Sequence, residues 1–454
     1  MRLAILATFA LACVPVYAQT SKEQEPALAQ IRGKDQGFVE LFTGKDLSGW
    51  VNVTCAPSTF TVAKDELGGP IIHCTGKPTG ILRSAGHYEN FVFEMEWRHL
   101  DKEGNSGLFV WSDDLTAPGV PFSRSVEIQI MTGMEGNGYT SDGDVFPIHG
   151  ASMTALTGPG TPKPGRAFPT AKKMNPSPMW NHYRVECRNG ELTLSVNGEV
   201  VTKGKDVSPR KGAICLESEG SPIDFRNIRI KELPAATPAL APEQVATPSD
   251  GFVPLYNGQD LSGWKVTPET DGHWKAEDWR LTFDGQGTHL WTEKSYKDFV
   301  LIADWRWTRK PVEVEHPAIL PSGDYKKDDK GQEVKDKLME AGDSGIYLRG
   351  NDKSQVNIWC WPIGSGEVWG YRTDPKMSAE VRAACTPKVC ADKPIGQWNR
   401  FVITMKGDRL TVVLNGKTVI EHAQLPGVPA EGPIALQKHG DPIEFGNLMI
   451  KELK

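Results

Sequence analysis

The sequence predicts an all-β fold, two tandem two-sheet sandwiches of the jelly-roll type, and three observations carry that expectation. A long motif near the start returns near the middle of the chain. Apolar residues alternate with polar ones at the spacing of strands. Asn-Gly and Gly-Asp turns punctuate the alternation, and no convincing amphipathic helix of three turns is expected.

The repeat comes first, because it fixes the organisation. Gly37-Phe-Val-Glu-Leu-Phe-Thr-Gly-Lys-Asp-Leu-Ser-Gly-Trp50 returns as Gly251-Phe-Val-Pro-Leu-Tyr-Asn-Gly-Gln-Asp-Leu-Ser-Gly-Trp264. Further matches keep their order: Asn105-Ser-Gly with Asp343-Ser-Gly, Trp180-Asn181 with Trp398-Asn399, Val196-Asn-Gly with Leu414-Asn-Gly, and Ile228–Leu233 with Leu448–Leu453. The period is a domain, which places one sandwich over 37–233 and a second over 251–454. The Pro- and Ala-rich stretch 234–250 between them has the composition of a semi-extended linker. The second copy adds residues between Trp305 and Asp343, rich in Lys and Asp, that read as a solvated surface insertion.

Within each copy the strands are legible. Phe91, Phe93, Met95 and Trp97 alternate with Val92, Glu94, Glu96 and Arg98, and Val126, Ile128 and Ile130 alternate with Glu127 and Gln129. These are half-buried strands with apolar side chains between two sheets. Turns follow at Asn189-Gly190, Asn197-Gly198, Gly407-Asp408 and Asn415-Gly416, where Asn and Gly tolerate positive φ. Trp50 and Trp264, fixed in the repeated opening, read as structural.

Composition narrows the function classes. The chain has 454 residues and a formal charge of -6 without a long basic block, which argues against nucleic acid as a partner. Arg2, the apolar run Leu3–Val16 and Val16-Tyr17-Ala18 form the three regions of a signal peptide over 1–18. Export to the periplasm or the exterior is therefore expected, with lipid attachment at Cys13 as the minor alternative. No other run is long enough to span a bilayer, so no integral membrane segment is expected. After cleavage Cys55, Cys74, Cys187, Cys215, Cys360, Cys385 and Cys390 form an odd set. Cys55 with Cys74 and Cys385 with Cys390 could close small loops in an oxidising compartment. No Cys-x-x-Cys pair suggests structural zinc.

Side chains two apart on a strand share a face, so Glu94, Glu96 and Arg98 project together, as do Glu127 and Gln129. Such a polar face is either a binding surface or a solvated exterior. In the second copy the corresponding residues are Asp304 and Arg306, then Gln355 and Asn357. Trp359, Trp361, Trp369 and Tyr371 crowd one segment, as sugar-stacking rings or as core. Asp142-Gly-Asp144 offers oxygen ligands without a calcium-loop spacing and reads as a surface turn.

The opening motif, the Asn-Ser-Gly strand, Val126-Glu-Ile-Gln-Ile130, Trp180-Asn-His-Tyr-Arg184 and Glu217-Ser-Glu-Gly-Ser-Pro-Ile-Asp-Phe-Arg-Asn-Ile228 together resemble the 3-keto-disaccharide hydrolase family, over nearly the whole of both halves. The resemblance implies a concanavalin-A-like jelly roll whose concave sheet binds sugar. It also implies cleavage of 3-keto-glycosides or 3-keto-disaccharides. A C3 ketone acidifies the C2 proton, so elimination at C1 followed by hydration becomes feasible. That route needs a base at C2, a donor near O3 and an acid for the leaving oxygen.

For the first copy the candidates are Glu127 and His149 as base and acid in either order, with Glu217 in reserve. Arg98, Asn105 and Gln129 would position the sugar. Glu127 as a salt-bridge partner of Arg98 is the structural alternative. In the second copy Gln355 replaces Glu127, and an amide cannot take up a proton; Asp343, Glu367 and His439 remain available there. Arg306, Asp343, Gln355, Asn357, Tyr371 and His439 are the binding candidates of that copy. No cofactor is firmly predicted, and a divalent metal stays open. The expected partner is an oxidised glycoside. The rival readings are a non-catalytic carbohydrate-binding protein of the lectin type and a surface adhesion protein.

Overall fold

The computed structural model describes residues 20–33, 36–133, 141–249 and 251–454. The signal peptide expected over 1–18, including Cys13, lies outside them. The described chain divides into two compact units, which change over between residues 249 and 251. Each unit is a jelly-roll sandwich of two antiparallel sheets.

In the first unit, strand Phe91–His99 lies between Asn181–Arg188 and Ile223–Glu232 in the larger sheet. The smaller sheet runs in the order Trp50–Val53, Gly80–Ser84, Ala213–Ser218, Gly104–Ser112, Ser125–Thr132, Val145–Ile148. The predicted alternation is realised: Phe91, Phe93, Met95 and Trp97 meet Leu108, Val110, Val126, Ile128 and Ile130 in one apolar core. The second unit repeats the plan. Phe299–Trp307 lies between Asn399–Lys406 and Ile443–Glu452, and the facing sheet runs Leu290–Tyr296, Gly432–Leu436, Ser344–Leu348, Asn351–Ile358. Its core is its own, from Tyr256 to Ile450.

The repeated opening motif does the same work twice. The Trp50 indole N–H donates to the Leu41 carbonyl at 2.7 Å, and Trp264 donates to Leu255 at 2.9 Å. Both rings are buried. The chain-reversing motif is thus pinned to the strand that precedes it.

Several expectations are corrected. A helix spans residues 20–32, where none was expected, and it covers the outer face of Phe91–His99. That strand is therefore buried on both faces instead of half-buried. Leu28 packs on Trp180 and Ile71, while Pro26 within the helix disguised it in the sequence by removing a donor. The cysteine pairs do not form: Cys55 and Cys74 are not joined, and Cys385 is buried while Cys390 is exposed. Residues 234–249, expected as a linker, form hydrogen bonds with the first unit. Asn90 donates to the Pro234 carbonyl, and the Thr247 and Ser249 amides donate to Asp113 and Asp114. The insertion of the second copy folds into a hairpin, Val312–Pro317 with Lys335–Glu340. No helix among the described residues is long and apolar enough to cross a membrane.

Candidate functional site

The polar side chains of the first unit separate onto two unrelated faces. Glu94, Glu96 and Arg98 belong to the larger sheet, beneath helix 20–32. Arg98 is 5% exposed and pairs with Glu66 at 2.8 Å and Asp224 at 3.0 Å. Arg226 pairs with Glu96, Asp65 and Glu25 at 2.8, 2.8 and 2.7 Å. Both guanidinium groups stack on Trp180, at 4.4 and 4.2 Å. Arg98 therefore serves a buried ion network, and neither positions a sugar beside Glu127 nor pairs with it. The reason is topological: the two strands lie in opposite sheets and their polar faces point away from each other.

The other face is the outer side of the smaller sheet. Register sets Glu127 opposite Phe109 and Gln129 opposite Gly107, while Ala213–Ser218 flanks the same strand from the other side. Gly107 is required here by close approach. A β-carbon at that position would stand 2.7 Å from a Glu217 carboxyl oxygen and 3.1 Å from one of Glu127. The two carboxyl groups thus converge over a bare stretch of backbone. Glu219 lies next to them, accepting a hydrogen bond from the Asn105 amide. Gln129 donates to Asn105 Oδ1 at 2.7 Å and to the Ser106 carbonyl at 3.1 Å, which fixes both amides.

Burial and mutual repulsion hold these acids in an unusual state. Burial, then the Glu219 charge, pushes Glu127 up to about 8, while Arg166 pulls it down. Burial pushes Glu219 up to about 7. Burial, then Glu127, Glu219 and Cys74, holds Glu217 well above the usual carboxylate range, and its Oε2 has no hydrogen-bond partner. Crowded carboxyl groups in low dielectric keep protons near neutral pH and can act as acids there, while one that ionises is a strong base. Glu127 retains 7% exposure against 1% for Glu217, so it is the more accessible of the two.

His149 has no direct contact with the carboxyl groups but reaches their face through two rings, since Phe122 meets Phe109, the residue opposite Glu127, at 5.8 Å. Phe146 is the residue opposite Glu127, and His149 follows the end of Val145–Ile148 with φ of 51°, stacked on Phe122 at 6.4 Å. The Asp142-Gly-Asp144 turn is a buried brace instead of a surface turn. Asp144 is fully buried, accepting from Ser141 and pairing with Arg166 at 3.3 Å, and Asp142 accepts the Tyr183 hydroxyl at 2.6 Å. Among the described residues no group of three His, Cys, Asp or Glu side chains is arranged to hold a metal ion.

Register gives the equivalent positions in the second unit. Gly345 pairs with Asn357, and Tyr347 with Gln355, as Gly107 and Phe109 pair with Gln129 and Glu127. The closing motif extends the correspondence: Gln437 stands for Glu217 and His439 for Glu219. Both central carboxyl groups have become amides, bonded to each other as Gln355 Nε2 donates to Gln437 Oε1 at 2.6 Å. Asp343 and His439 face each other at 4.0 Å. Asp343 is raised to about 6 by burial, with His439 pulling it down and Glu340 and Asp441 pushing it up.

Asp343, Gln355, Asn357 and His439 line a cavity of about 590 Å³ with Trp359, Trp361 and Trp369. Two binding candidates fall outside it. Tyr371 is core, 1% exposed, its hydroxyl donating to the Pro426 carbonyl at 3.2 Å. Arg306 lies on the opposite sheet, paired with Glu444. Glu367 is buried against Arg372 and is structural. Sequence reasoning missed Glu219 and Arg166; Glu219 stands just past the end of strand Ala213–Ser218, two residues from Glu217.

The family described as 3-keto-alpha-glucoside-1,2-lyase-like domain matches residues 37–231 and again 251–451. A 3-keto-disaccharide hydrolase of Bacteroides thetaiotaomicron is 29% identical over 109 residues, which are 22% of this chain and 36% of that protein. The chain thus spans about a third of the length of that relative. A putative glycosyl hydrolase from Parabacteroides distasonis is 20% identical, covering 44% of this chain and 95% of that one, with a TM-score of 0.33. A carbohydrate binding module from Bacillus subtilis is 13% identical, covering 40% and 96%, with a TM-score of 0.27.

Proposed function

Because the chain belongs to the 3-keto-alpha-glucoside-1,2-lyase-like domain family, we propose that its first unit cleaves glycosides already oxidised to a ketone at C3, after export of the protein. The observation that carries this reading is the convergence of Glu127 and Glu217 over Gly107.

In the proposed reaction the ionised Glu127 takes the proton from C2, and the C–H electrons form an enolate through C3 and its oxygen. Arg166, whose charge acts on Glu127 and which also pairs with Asp144 at 3.3 Å, is the cation assigned to that developing charge. The enolate collapses to a C1=C2 double bond conjugated with the ketone, and the C1–O bond breaks. Glu217, held protonated by burial and its neighbours, gives its proton to the departing oxygen. Water then adds at C1, C2 regains a proton, and the net result is hydrolysis. Asn105 and Gln129, locked to each other, orient the ring.

The test compares a 3-keto-glucoside with its unoxidised parent, following aglycone release by the intact protein. Turnover of the ketone alone is expected. Cleavage of neither compound, with or without added divalent metal, would leave the binding-protein reading in its place.

A further inference from the structure

We propose that the first unit carries, apart from its carboxyl cluster, a site for a small carboxylate-bearing molecule, gripped by Arg188 and Arg210. This does not rest on the chemistry assigned to the cluster.

The second unit shows how one corner of the sandwich balances its charges. Asp298, just before strand Phe299–Trp307, accepts the Gly407 amide at 2.9 Å, and the same oxygen accepts from Arg349 Nη2 at 2.8 Å. Nε and Nη1 of that buried guanidinium donate to the carbonyls of Lys297, Gly407 and Pro429 at 2.6, 2.6 and 3.0 Å. Cation and anion both come from the chain. The first unit keeps the backbone of this corner. Asn90 stands where Asp298 stands, because its side chain accepts the Asn189 amide at 2.8 Å and its carbonyl accepts the Leu233 amide, as that of Asp298 accepts Leu453. Trp111 stands where Arg349 stands, at a matching positive φ, and donates to the Glu89 carbonyl at 2.8 Å.

The cation persists there and the anion does not. Arg210 Nη1 donates at 3.2 Å to the Asn189 carbonyl, the equivalent of Gly407, and Arg188 precedes the same turn. Both arginines line a cavity of about 390 Å³ with Asn90, Asn189 and residues 233–238, and among the described residues no acid lines it. Arg188 reaches Glu186 only at 3.7 Å, and both side chains are open to solvent, so that pair is weak. The Glu89 carboxyl is taken up by the Ala236 amide at 2.6 Å. Arg210 Nε is buried without a hydrogen-bond partner, and a buried donor left unpaired points to a group that joins it. A carboxylate supplies what Asp298 supplies in the second unit, and its two oxygens suit a guanidinium fork. The wall is set beforehand, since Asn90 Nδ2 donates to the Pro234 carbonyl at 2.7 Å. The volume lies in the range of sites that enclose small molecules, about 300–1,000 Å³, so the carboxylate is carried on a body of about the size of a sugar ring.

The experiment is calorimetric titration of the full-length protein at low ionic strength with glucuronate, acetate and glucose. Glucuronate is expected to bind. Arg210→Gln and, separately, Arg188→Gln should each weaken it at least about tenfold, the scale of a lost hydrogen bond to a charged group, with the melting temperature and the rate on a 3-keto-glucoside unchanged. Arg210→Lys, which keeps the charge without the fork, should recover part of the loss. Acetate should displace glucuronate, but with lower affinity, and glucose should not displace it. Absence of binding by both anions overturns the proposal, as does glucuronate binding that neither Arg210→Gln nor Arg188→Gln weakens. Displacement by glucose as effective as by acetate overturns it too, because the carboxylate would then not be what is read. Failure of the wild-type protein to cleave the ketone would count against the chemistry of the carboxyl cluster alone, and these titrations would still decide the site.

Discussion

At the scale of single residues, the first unit turns on what burial does to three glutamates. Glu127→Gln keeps the shape and removes the base, so cleavage of 3-keto-glycosides should fall by about 10² to 10⁴-fold, read from initial rates. Because Glu127 must be ionised to act and is raised to about 8, the wild-type rate should climb as pH rises from 6 towards 9. Stability should move the other way. A carboxyl whose folded pKa is raised binds its proton more tightly when folded, so its stabilising contribution is full below about 4.5 and is lost as pH rises towards about 8. The Glu127→Gln protein should therefore gain melting temperature over wild type at pH 8 and little at pH 5. Equal shifts at both pH values would show that Glu127 is not held protonated. Gly107→Ala should abolish activity as well, since the added carbon would occupy the space between the two carboxyl groups. Glu127 and Gln129 could be placed on one face from the sequence because alternation fixes which strand residues share a side, while Glu217 came only from the family motif. Arg98 was misassigned by the same reasoning, since alternation gives a face within a strand and does not say which sheet the strand joins.

At the scale of elements, strands and turns follow from their local pattern, and helix 20–32 does not. Its pattern is weak because a single leucine, Leu28, reaches the apolar cluster with Trp180 and Ile71, and the rest of its hold is polar, by ion pairs and hydrogen bonds. Glu25 meets Arg226, Arg32 meets Glu96, and Ser21 meets Glu66. Such pairs are specified by distant positions, which no local periodicity reveals. Trp180 is the keystone, clasped between Arg98 and Arg226. Trp180→Ala should cost about 3–5 kcal/mol, the range for removing a large buried ring, measured by denaturant unfolding. A loss below about 1 kcal/mol, the ordinary scale of a single substitution, would mean the ion network holds without it.

At the scale of the whole molecule, one topology carries two different sets of chemical groups. The sandwich positions are kept, with Gly345 under Gln355 as Gly107 lies under Glu127, while the acids at the centre give way to amides. Because the units have separate apolar cores, calorimetry should resolve two unfolding transitions. The duplication itself was plain in the sequence, because long motifs return in order. The cavity of the second unit was not, because its wall joins the stretch from Asp343 to Asp374 with Gln437 and His439, which lie far along the chain.

The helix at residues 20–32 bears on where this protein can be cut. The recurring text begins at Gly37, and a fragment started there would match the family from end to end. It would also strip Arg226 of Glu25, Arg98 of Ser21 and Trp180 of Leu28, laying open a sheet face populated by charges that expect company. The smallest piece fit to stand alone is therefore longer at its amino end than the stretch the two halves have in common.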